Sequence, residues 1–143
     1  MDQPGEHDHL RRIPFFEELT PEDLERVARI GERRSFDAGD PIVAEGSEGQ
    51  AMFVILSGRA TVEAGGRTHE LGAGDFFGEM ALLGRKPRSA TVTALEPVEC
   101  LVFETMYFRP FLIKNPSVAV AILEGVVERL REAQEGVDGA GGA

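Results

Sequence analysis

Short β-prone runs, several of them alternating apolar with polar residues and separated by turn residues, fill the middle of the chain from residue 34 to residue 103. The runs read RSF, PIVA, AMFVIL, RATVEA, RTHEL, SATVTAL and VECLVF, and the turns between them are rich in Gly, Asp, Glu and Pro. Strands at nearly regular intervals with such turns predict an antiparallel sandwich or jelly-roll barrel. The connections are too short for crossover helices, which argues against a parallel βαβ fold.

A helix is predicted before these runs. The segment TPED (20–23) offers an N-cap threonine, a proline at the first helical position and acids in the first turn, and Gly31 suits the helix end. One apolar face is formed by Leu24, Val27 and Ala28. We therefore expect a helix that packs one side against the barrel.

Two helices are predicted after the strand region. The segment ETMYFRPFLIKNP reads as a short helix that is broken at Pro110 and closed near Asn115. A longer helix follows over 117–134, with Ser117 as a possible cap. Its apolar residues at helical spacing are Val120, Leu123, Val127 and Leu130, and its charged residues Glu128, Arg129, Arg131 and Glu132 are expected toward solvent. This apolar stripe can pack on its own barrel or pair with a copy of itself.

Length and composition bound the domain organisation. A chain of 143 residues with 42% hydrophobic and 28% charged residues matches one soluble globular domain. We expect a flexible tail at 1–9, a domain at 10–134 and a Gly/Ala-rich tail at 135–143, because both ends lack apolar periodicity.

The charge balance restricts the partners. Fifteen Lys and Arg against twenty-five Asp and Glu leave a formal charge of −10, which repels nucleic acid and anionic lipid at long range. An anionic small ligand would therefore need short-range positive groups in a screened pocket. A buried or half-buried arginine meets that need.

Cysteine usage and hydropathy indicate the compartment. Cys100 is the sole cysteine and lies in an apolar run, so we expect a buried strand thiol without a disulfide or a cysteine metal cluster. No stretch approaches the ~20 apolar residues of a membrane span, and the polar, acidic N-terminus has no apolar core. These features predict a cytoplasmic protein without membrane insertion.

The segment FGEMALLGRKPRSAT (77–91) has the layout of a site for a small anionic ligand. A short helix that begins at Gly78 would direct free backbone N–H groups, including those of Met80 and Ala81, toward a phosphate. Arg88, at the start of the following strand, can offer two parallel hydrogen bonds to phosphate oxygens, and Glu79 supplies a fixed acceptor for a sugar hydroxyl.

The same segment resembles the phosphate-binding cassette of the cyclic nucleotide-binding domain family, and the predicted order of helix, barrel and two helices is similar over roughly residues 10–134. The matching positions are Phe77, Gly78, Glu79, Ala81, Leu82, Pro87, Arg88, Ala90 and Thr91, without insertion or deletion. The resemblance implies a mainly β jelly-roll (double-stranded β-helix) with an N-terminal helix, a short phosphate-binding helix and two C-terminal helices. It also implies that Glu79 accepts from the ribose 2′-hydroxyl.

The resemblance further implies the ligand. That ligand is cAMP, or alternatively cGMP, and no cofactor or metal is expected. Ser89 departs from the alanine of many adenosine-selective members and the threonine of guanosine-selective ones; serine occurs in some bacterial cAMP-binding regulators, so cAMP is favoured and cGMP stays open. Val62 and Leu71 are expected to line the barrel mouth against base and sugar.

In the family, the last helix closes over the base. Here Val127, Leu130 or Arg131 is expected to supply the cap, and Gly125 is a weak point where motion would concentrate. The predicted function is thus a non-enzymatic cyclic nucleotide receptor, without catalytic residues, that couples binding to rearrangement of its C-terminal helices. An effector protein or a homodimer partner is possible.

Four alternatives to this function differ in the residues that they require. A metal enzyme of the cupin type needs about three converging histidines, whereas two of the three here, His7 and His9, lie in the N-terminal tail and His69 lies on a strand. A transcription factor needs a reading helix, for which the short tail leaves no room. A ligand-free interaction domain is disfavoured by Gly78, Glu79 and Arg88. The chain can also be a fragment of a larger regulated transcription factor, channel, kinase or transporter, although the initiating Met favours a free-standing protein.

Overall fold

The computed structural model describes residues 10, 13, 16, 17, 19–47, 49–83, 88 and 90–140. Helix α1 spans Pro21–Ile30, and the C-terminal helices are α2 (Thr105–Lys114) and α3 (Pro116–Ala140). A short 3-10 helix covers Glu79–Leu83. The strands are β1 (Glu32–Phe36), β2 (Pro41–Val43), β3 (Ala51–Ser57), β4 (Ala60–Ala64), β5 (Arg67–Leu71), β6 (Phe76–Phe77), β7 (Thr91–Ala94) and β8 (Val98–Glu104).

The eight strands form two four-stranded antiparallel sheets. Their orders are β1-β8-β3-β6 and β2-β7-β4-β5, and every pairing between them is antiparallel. This arrangement confirms the predicted antiparallel β fold with flanking helices. Strand β6 was not among the predicted runs, because two residues are too few for a periodic signal, and it pairs Phe77 with Phe53 of β3.

Strand β3 explains where the two cores lie. All six residues 51–56 are buried, and alternate side chains point to opposite faces of the sheet. Met52, Val54 and Leu56 join the core between this sheet and the helices, whereas Ala51, Phe53 and Ile55 join the core between the two sheets. The continuous apolar run AMFVIL therefore reflects a strand covered on both sides.

Helix α1 forms as its sequence predicts. The Thr20 hydroxyl accepts from the Asp23 N–H at 3.2 Å, and the Gly31 N–H donates to the Val27 carbonyl. Gly31 has an extended backbone, and its role is spatial: a Cβ there would lie 2.6 Å from the Leu101 side chain. The helix thus ends in close contact with strand β8.

The C-terminal helices differ from expectation at two points. Pro110 does not break α2, because it removes only the hydrogen bond to the carbonyl of Met106, a residue that is 73% exposed, so water can replace the donor. Ser117 does not cap α3, since its hydroxyl donates to the buried Asp23 carboxylate at 2.7 Å. That bond ties the first turn of α3 to α1.

Helix α3 also buries a different face from the one predicted. Its buried residues are Val118, Ala121 and Ile122, and the predicted apolar stripe is exposed. The helix runs to Ala140, into the segment predicted as the Gly/Ala-rich tail. The expected domain bounds of 10–134 stay a prediction, and residues 1–9 lie outside the described part.

The described helices are too short or too polar to suit a membrane span individually. Among the described residues, no single helix is long and apolar enough to cross a membrane. In the described part of the chain, α2 and α3 up to Glu132 reach that length and composition when taken together, but the two helices are bent by 112°.

Candidate functional site: the Gly78–Glu79–Arg88 corner

The fold brings Gly78, Glu79 and Arg88 together, and we call these three residues the Gly78–Glu79–Arg88 corner. Gly78 joins β6 to the 3-10 helix with φ of +79°, in the left-handed region that favours glycine. A Cβ at this position would lie 2.6 Å from Arg88 Nη1 and 2.8 Å from the Ala51 carbonyl oxygen. Gly78 therefore permits both the turn and the close approach of the guanidinium.

Arg88 is held at both backbone and side chain. Its N–H donates to the Ser47 carbonyl at 2.7 Å, and its carbonyl accepts from the Gly46 N–H at 2.8 Å. Its Nη2 donates to the Ala51 carbonyl at 2.8 Å. Although Arg88 precedes β7 without belonging to it, these bonds fix its direction.

The electrostatics around Arg88 suit an anion. Burial lowers the pKa of the Arg88 guanidinium, and the Glu79 carboxylate opposes that shift. Arginine keeps its charge under such shifts, so the half-buried side chain presents a fixed positive group with only partial solvent screening. A positive group is thus present at this site, although the whole chain carries a net charge of −10.

An aromatic layer lies beneath the corner. The rings of Phe53 and Phe77 stack with centroids 4.9 Å apart and planes 3° apart, and the Arg88 guanidinium carbon lies 5.7 Å from the Phe53 centroid. Val62 and Leu71 are buried in the same core between the sheets, and Ala90 packs against it. The predicted Phe77, Val62, Leu71 and Ala90 are therefore neighbours of one apolar layer.

The amides of the 3-10 helix are only partly as expected. The Ala81 N–H donates to the Gly78 carbonyl at 3.1 Å, so this amide is engaged within the turn. Met80 lies in the first turn and is 48% exposed. Ser89 lies outside the described residues.

Arg129 of α3 contacts the corner, contrary to the sequence-based prediction. It was expected toward solvent, but its Nη1 donates to Glu79 Oε1 at 2.9 Å and its Nη2 donates to the Phe76 carbonyl. Its guanidinium carbon also lies 3.9 Å from the Phe76 ring centroid. The sequence position of Arg129 could have indicated this contact. Arg129 follows the buried Ile122 by seven residues and therefore lies on the same face of α3.

The residues expected to cap the nucleotide base do not lie on the face of α3 that contacts the corner. Val127 and Leu130 are exposed, and the exposed Arg131 has its ion pair with Glu128 at 3.9 Å. Arg129 is instead the residue through which α3 reaches the corner. Glu79 therefore touches the C-terminal helix directly.

A cavity of about 730 Å³ opens on the Arg88 side of the corner. It lies within the range of small-molecule pockets, which is about 300–1,000 Å³. Its lining includes Ala51, Phe53, Ala81 and Arg88, but neither Gly78 nor Glu79. Arg88 thus borders both the cavity and the corner.

The described histidines, carboxylates and cysteine do not form a metal or nucleophile site. Among the described residues, no group of three or more His, Cys, Asp or Glu side chains could hold a metal ion. His69 is exposed on β5, and His7 and His9 lie outside the described part. Burial, with a smaller contribution from Glu99, raises the pKa of the Cys100 thiol to about 12, so this group is an unreactive core residue.

The comparison with known families decides the identity. The model of the cyclic nucleotide-binding domain matches residues 33–115, more than half of the chain, and includes the whole corner. The chain belongs to the cyclic nucleotide-binding domain family. The resemblance inferred from residues 77–91 is therefore confirmed.

Relatives of this cyclic nucleotide-binding domain occur in several protein classes. The chain is 38% identical over 117 residues, 82% of its length, to a cyclic nucleotide-gated potassium channel of Rhizobium etli, of which it covers 33%. It is 42% identical over 93 residues, 64% of its length, to a cGMP-dependent protein kinase of Toxoplasma gondii, of which it covers 9%. The catabolite activator protein of Thermus thermophilus matches in structure with a TM-score of 0.75 and 33% identity, covering 87% of this chain and 62% of that one. The chain thus spans about a third or less of the curated channel and kinase relatives.

Proposed function

We propose that this chain is a cytoplasmic receptor module for a cyclic purine nucleotide, with cAMP favoured over cGMP, and that ligand binding rearranges its C-terminal helices. The module performs no chemistry of its own. It binds neither nucleic acid nor membrane, in keeping with its charge of −10. The free, buried Cys100 suits a reducing compartment.

One observation carries the proposal: Gly78, Glu79 and Arg88 meet at a single corner. The Arg88 fork would pair with the cyclic phosphate, and the left-handed Gly78 would let the phosphate approach the backbone. Glu79 would accept from the ribose 2′-hydroxyl. The Phe53–Phe77 layer with Val62 and Leu71 would form the apolar support for sugar and base, and Ala90 and Ser89 would border the phosphate.

Arg129 supports the coupling to the C-terminal helix. In this structure the Glu79 carboxylate is paired with Arg129, so a ribose hydroxyl that binds Glu79 must share or replace that partner. Because Arg129 lies on α3, a change at Glu79 reaches the helix without an intermediate residue. Ligand and helix position are thereby linked through one carboxylate.

Two alternative functions stand beside this proposal. A larger cyclic-nucleotide-regulated protein, such as a channel, kinase, transporter or transcription factor, would use this module as its sensor. The short coverage of the channel and kinase relatives favours that reading. A ligand-free interaction domain is the other alternative, and the retained corner speaks against it.

Calorimetric titration of cAMP and of cGMP into the full chain tests the proposal. We expect binding to the wild type, a loss of at least a hundredfold in affinity for Arg88→Ala, and a smaller loss for Arg88→Lys, because an ammonium cannot form the bidentate contact. Arg59→Ala is the matched control, since Arg59 is an exposed arginine paired with Glu70 and Glu96. No heat with either nucleotide refutes the receptor function, and binding unaffected by Arg88→Ala refutes the location. The ratio of the two wild-type affinities decides cAMP against cGMP.

A further inference from the structure

The 730 Å³ cavity beside Arg88 lies at the opposite edge of the two sheets from the apolar layer proposed to support the nucleotide. Strands β1 and β2 each form one edge of their sheet, and β6 and β5 form the other edges. The cavity is lined from β1, β2, the start of β3 and the β8–α2 junction, whereas Val62, Leu71 and Phe77, on β4, β5 and β6, do not border it. We call it the β1–β2 cavity.

The walls of the β1–β2 cavity combine an apolar floor with two guanidinium groups. Ile42, Val43 and Phe53 supply the floor, and all three belong to or pack against the core between the sheets. Arg34 lies on the inner face of β1, because its strand partner is Cys100 of the same core. Arg34 from β1 and Arg88 from the corner therefore border one space.

The charges of the cavity leave N–H groups for an anion. The carboxylate in the described lining is that of Glu104, and it accepts from Arg34 Nη2 at 3.1 Å, while Glu32 accepts from Arg34 Nε at 3.3 Å. No described residue accepts from Arg34 Nη1. Arg88 gives only its Nη2 to a described acceptor, the Ala51 carbonyl. Both guanidinium groups thus retain donors, and the lining has two cations for one carboxylate.

We propose that the β1–β2 cavity is a second binding site, which takes a small aromatic or aliphatic compound with one acidic group, and that its occupant and the cyclic nucleotide weaken each other's binding. The acidic group would contact Arg34 Nη1 and Arg88, and the apolar body would cover the floor. The site itself does not depend on the nucleotide.

The antagonism rests on the proposed nucleotide site, because both ligands need Arg88. Its Nη1 lies against Gly78, since a Cβ added there would be 2.6 Å from that atom, and its side chain also borders the cavity. One guanidinium cannot be placed best for a phosphate at the corner and for an anion in the cavity at the same time. Linkage requires the two effects on affinity to be equal.

Fluorescence titration of the full chain with 8-anilinonaphthalene-1-sulfonate, without nucleotide, tests the site. This probe joins an aromatic body to one sulfonate, and we expect saturable binding of one probe per chain. Arg34→Gln should weaken binding about tenfold or more, because a charged hydrogen bond is lost. Ala44→Trp should abolish it, because Ala44 is an exposed residue of the lining and the added ring would fill the cavity.

Three further variants locate the probe. Arg33→Gln is the matched control: Arg33 is the next arginine of β1, points to the opposite face and pairs with Glu99 at 3.1 Å, so the probe affinity should stay unchanged. Glu104→Gln should strengthen binding, because it removes a carboxylate from the cavity. Leu123→Ser, on the exposed apolar face of α3, should leave binding unchanged. Circular dichroism verifies that each variant is folded.

The antagonism is measured by titrating the probe in saturating cyclic nucleotide, and the nucleotide in saturating probe. We expect both affinities to fall by the same factor, about fivefold or more. Absence of saturable probe binding overturns the second site, as does binding that is unaffected by Arg34→Gln and Ala44→Trp or lost in Leu123→Ser. Unchanged affinities in the paired titrations overturn the antagonism alone. Calorimetry without heat refutes the nucleotide receptor and the antagonism, whereas probe binding in the absence of nucleotide is a separate result.

Discussion

Gly78 shows how much of this site depends on a single backbone position. Its φ of +79° turns the chain from β6 into the 3-10 helix, and the missing side chain leaves room for the Arg88 guanidinium. Gly78 is thus required both for its backbone conformation and for the space that a side chain would fill. These two requirements can be separated, because at another glycine of the chain only the backbone conformation requires glycine. Gly66, in the β4–β5 turn, has φ of +78° and nothing within 4 Å of an added Cβ.

We predict that Gly78→Ala costs more stability than Gly66→Ala. An alanine in the left-handed region lowers the free energy of unfolding by about 1 kcal/mol in each variant. Gly78→Ala lowers it further, because the added Cβ would clash with Arg88 and with the Ala51 carbonyl oxygen. Thermal unfolding should show Gly66→Ala lower by about 3–5 °C and Gly78→Ala by clearly more. Gly78→Ala should also abolish nucleotide binding, while Gly66→Ala keeps it; equal melting temperatures would contradict the steric part of the argument.

Helix α3 contacts the corner through Arg129, a side chain whose position the helical pattern of apolar residues did not predict. The charged residues of its second half were all expected to face solvent, yet Arg129 stacks on Phe76 and pairs with Glu79. An arginine can extend a buried helical face, because its stem and planar guanidinium pack as apolar surface while its N–H groups find acceptors. Polarity alone therefore did not identify the buried face.

We predict that Arg129→Ala uncouples α3 from the ligand. In the wild type, saturating cyclic nucleotide should change the hydrogen exchange of amides beyond Lys114, since the Glu79–Arg129 contact must adjust. The change should be largely absent in Arg129→Ala, although the Arg88 site still binds. Arg131→Ala serves as the control, because its side chain is exposed on the same helix. Identical exchange with and without nucleotide in the wild type would falsify the coupling.

A side-chain hydrogen bond joins helix α1 to the first turn of α3. Asp23 of α1 is buried, accepts from Ser117 of α3 at 2.7 Å and pairs with Arg26 at 2.9 Å. Asp23 and Ser117 lie 94 residues apart in the sequence. Their hydrogen bond can therefore form only after the barrel has brought α1 and α3 to the same side of the molecule. It fixes where α3 begins relative to the rest of the fold.

We predict that Ser117→Ala lowers the free energy of unfolding by about 1–3 kcal/mol, because a buried carboxylate loses a hydrogen-bond donor. Ser35→Ala, at an exposed strand position, should change it by less than about 0.5 kcal/mol. Urea denaturation measures both. A loss no larger in Ser117→Ala than in Ser35→Ala would show that the Asp23–Ser117 bond does not hold the helices together.

Local patterns were sufficient for most of the elements. The TPED start of α1, the strand runs and the family cassette at 77–91 are each contained within a few consecutive residues, where propensity and hydrogen bonding act directly. The cassette also identified Gly78, Glu79 and Arg88 as a group before their convergence was visible. Strand β6 was missed because a two-residue strand exists only through its partner, β3.

The sequence by itself thus determined the antiparallel β class, the family and the members of the corner, since all of these depend on short-range spacing. Tertiary structure decided which apolar face of α3 is covered, that Arg129 meets Glu79, and that Ser117 bonds to Asp23 in place of capping its helix. The two faces of α3 are both apolar in the sequence, and periodicity cannot distinguish them. Only the position of the barrel, set by contacts between residues distant in the chain, makes one of them the inside.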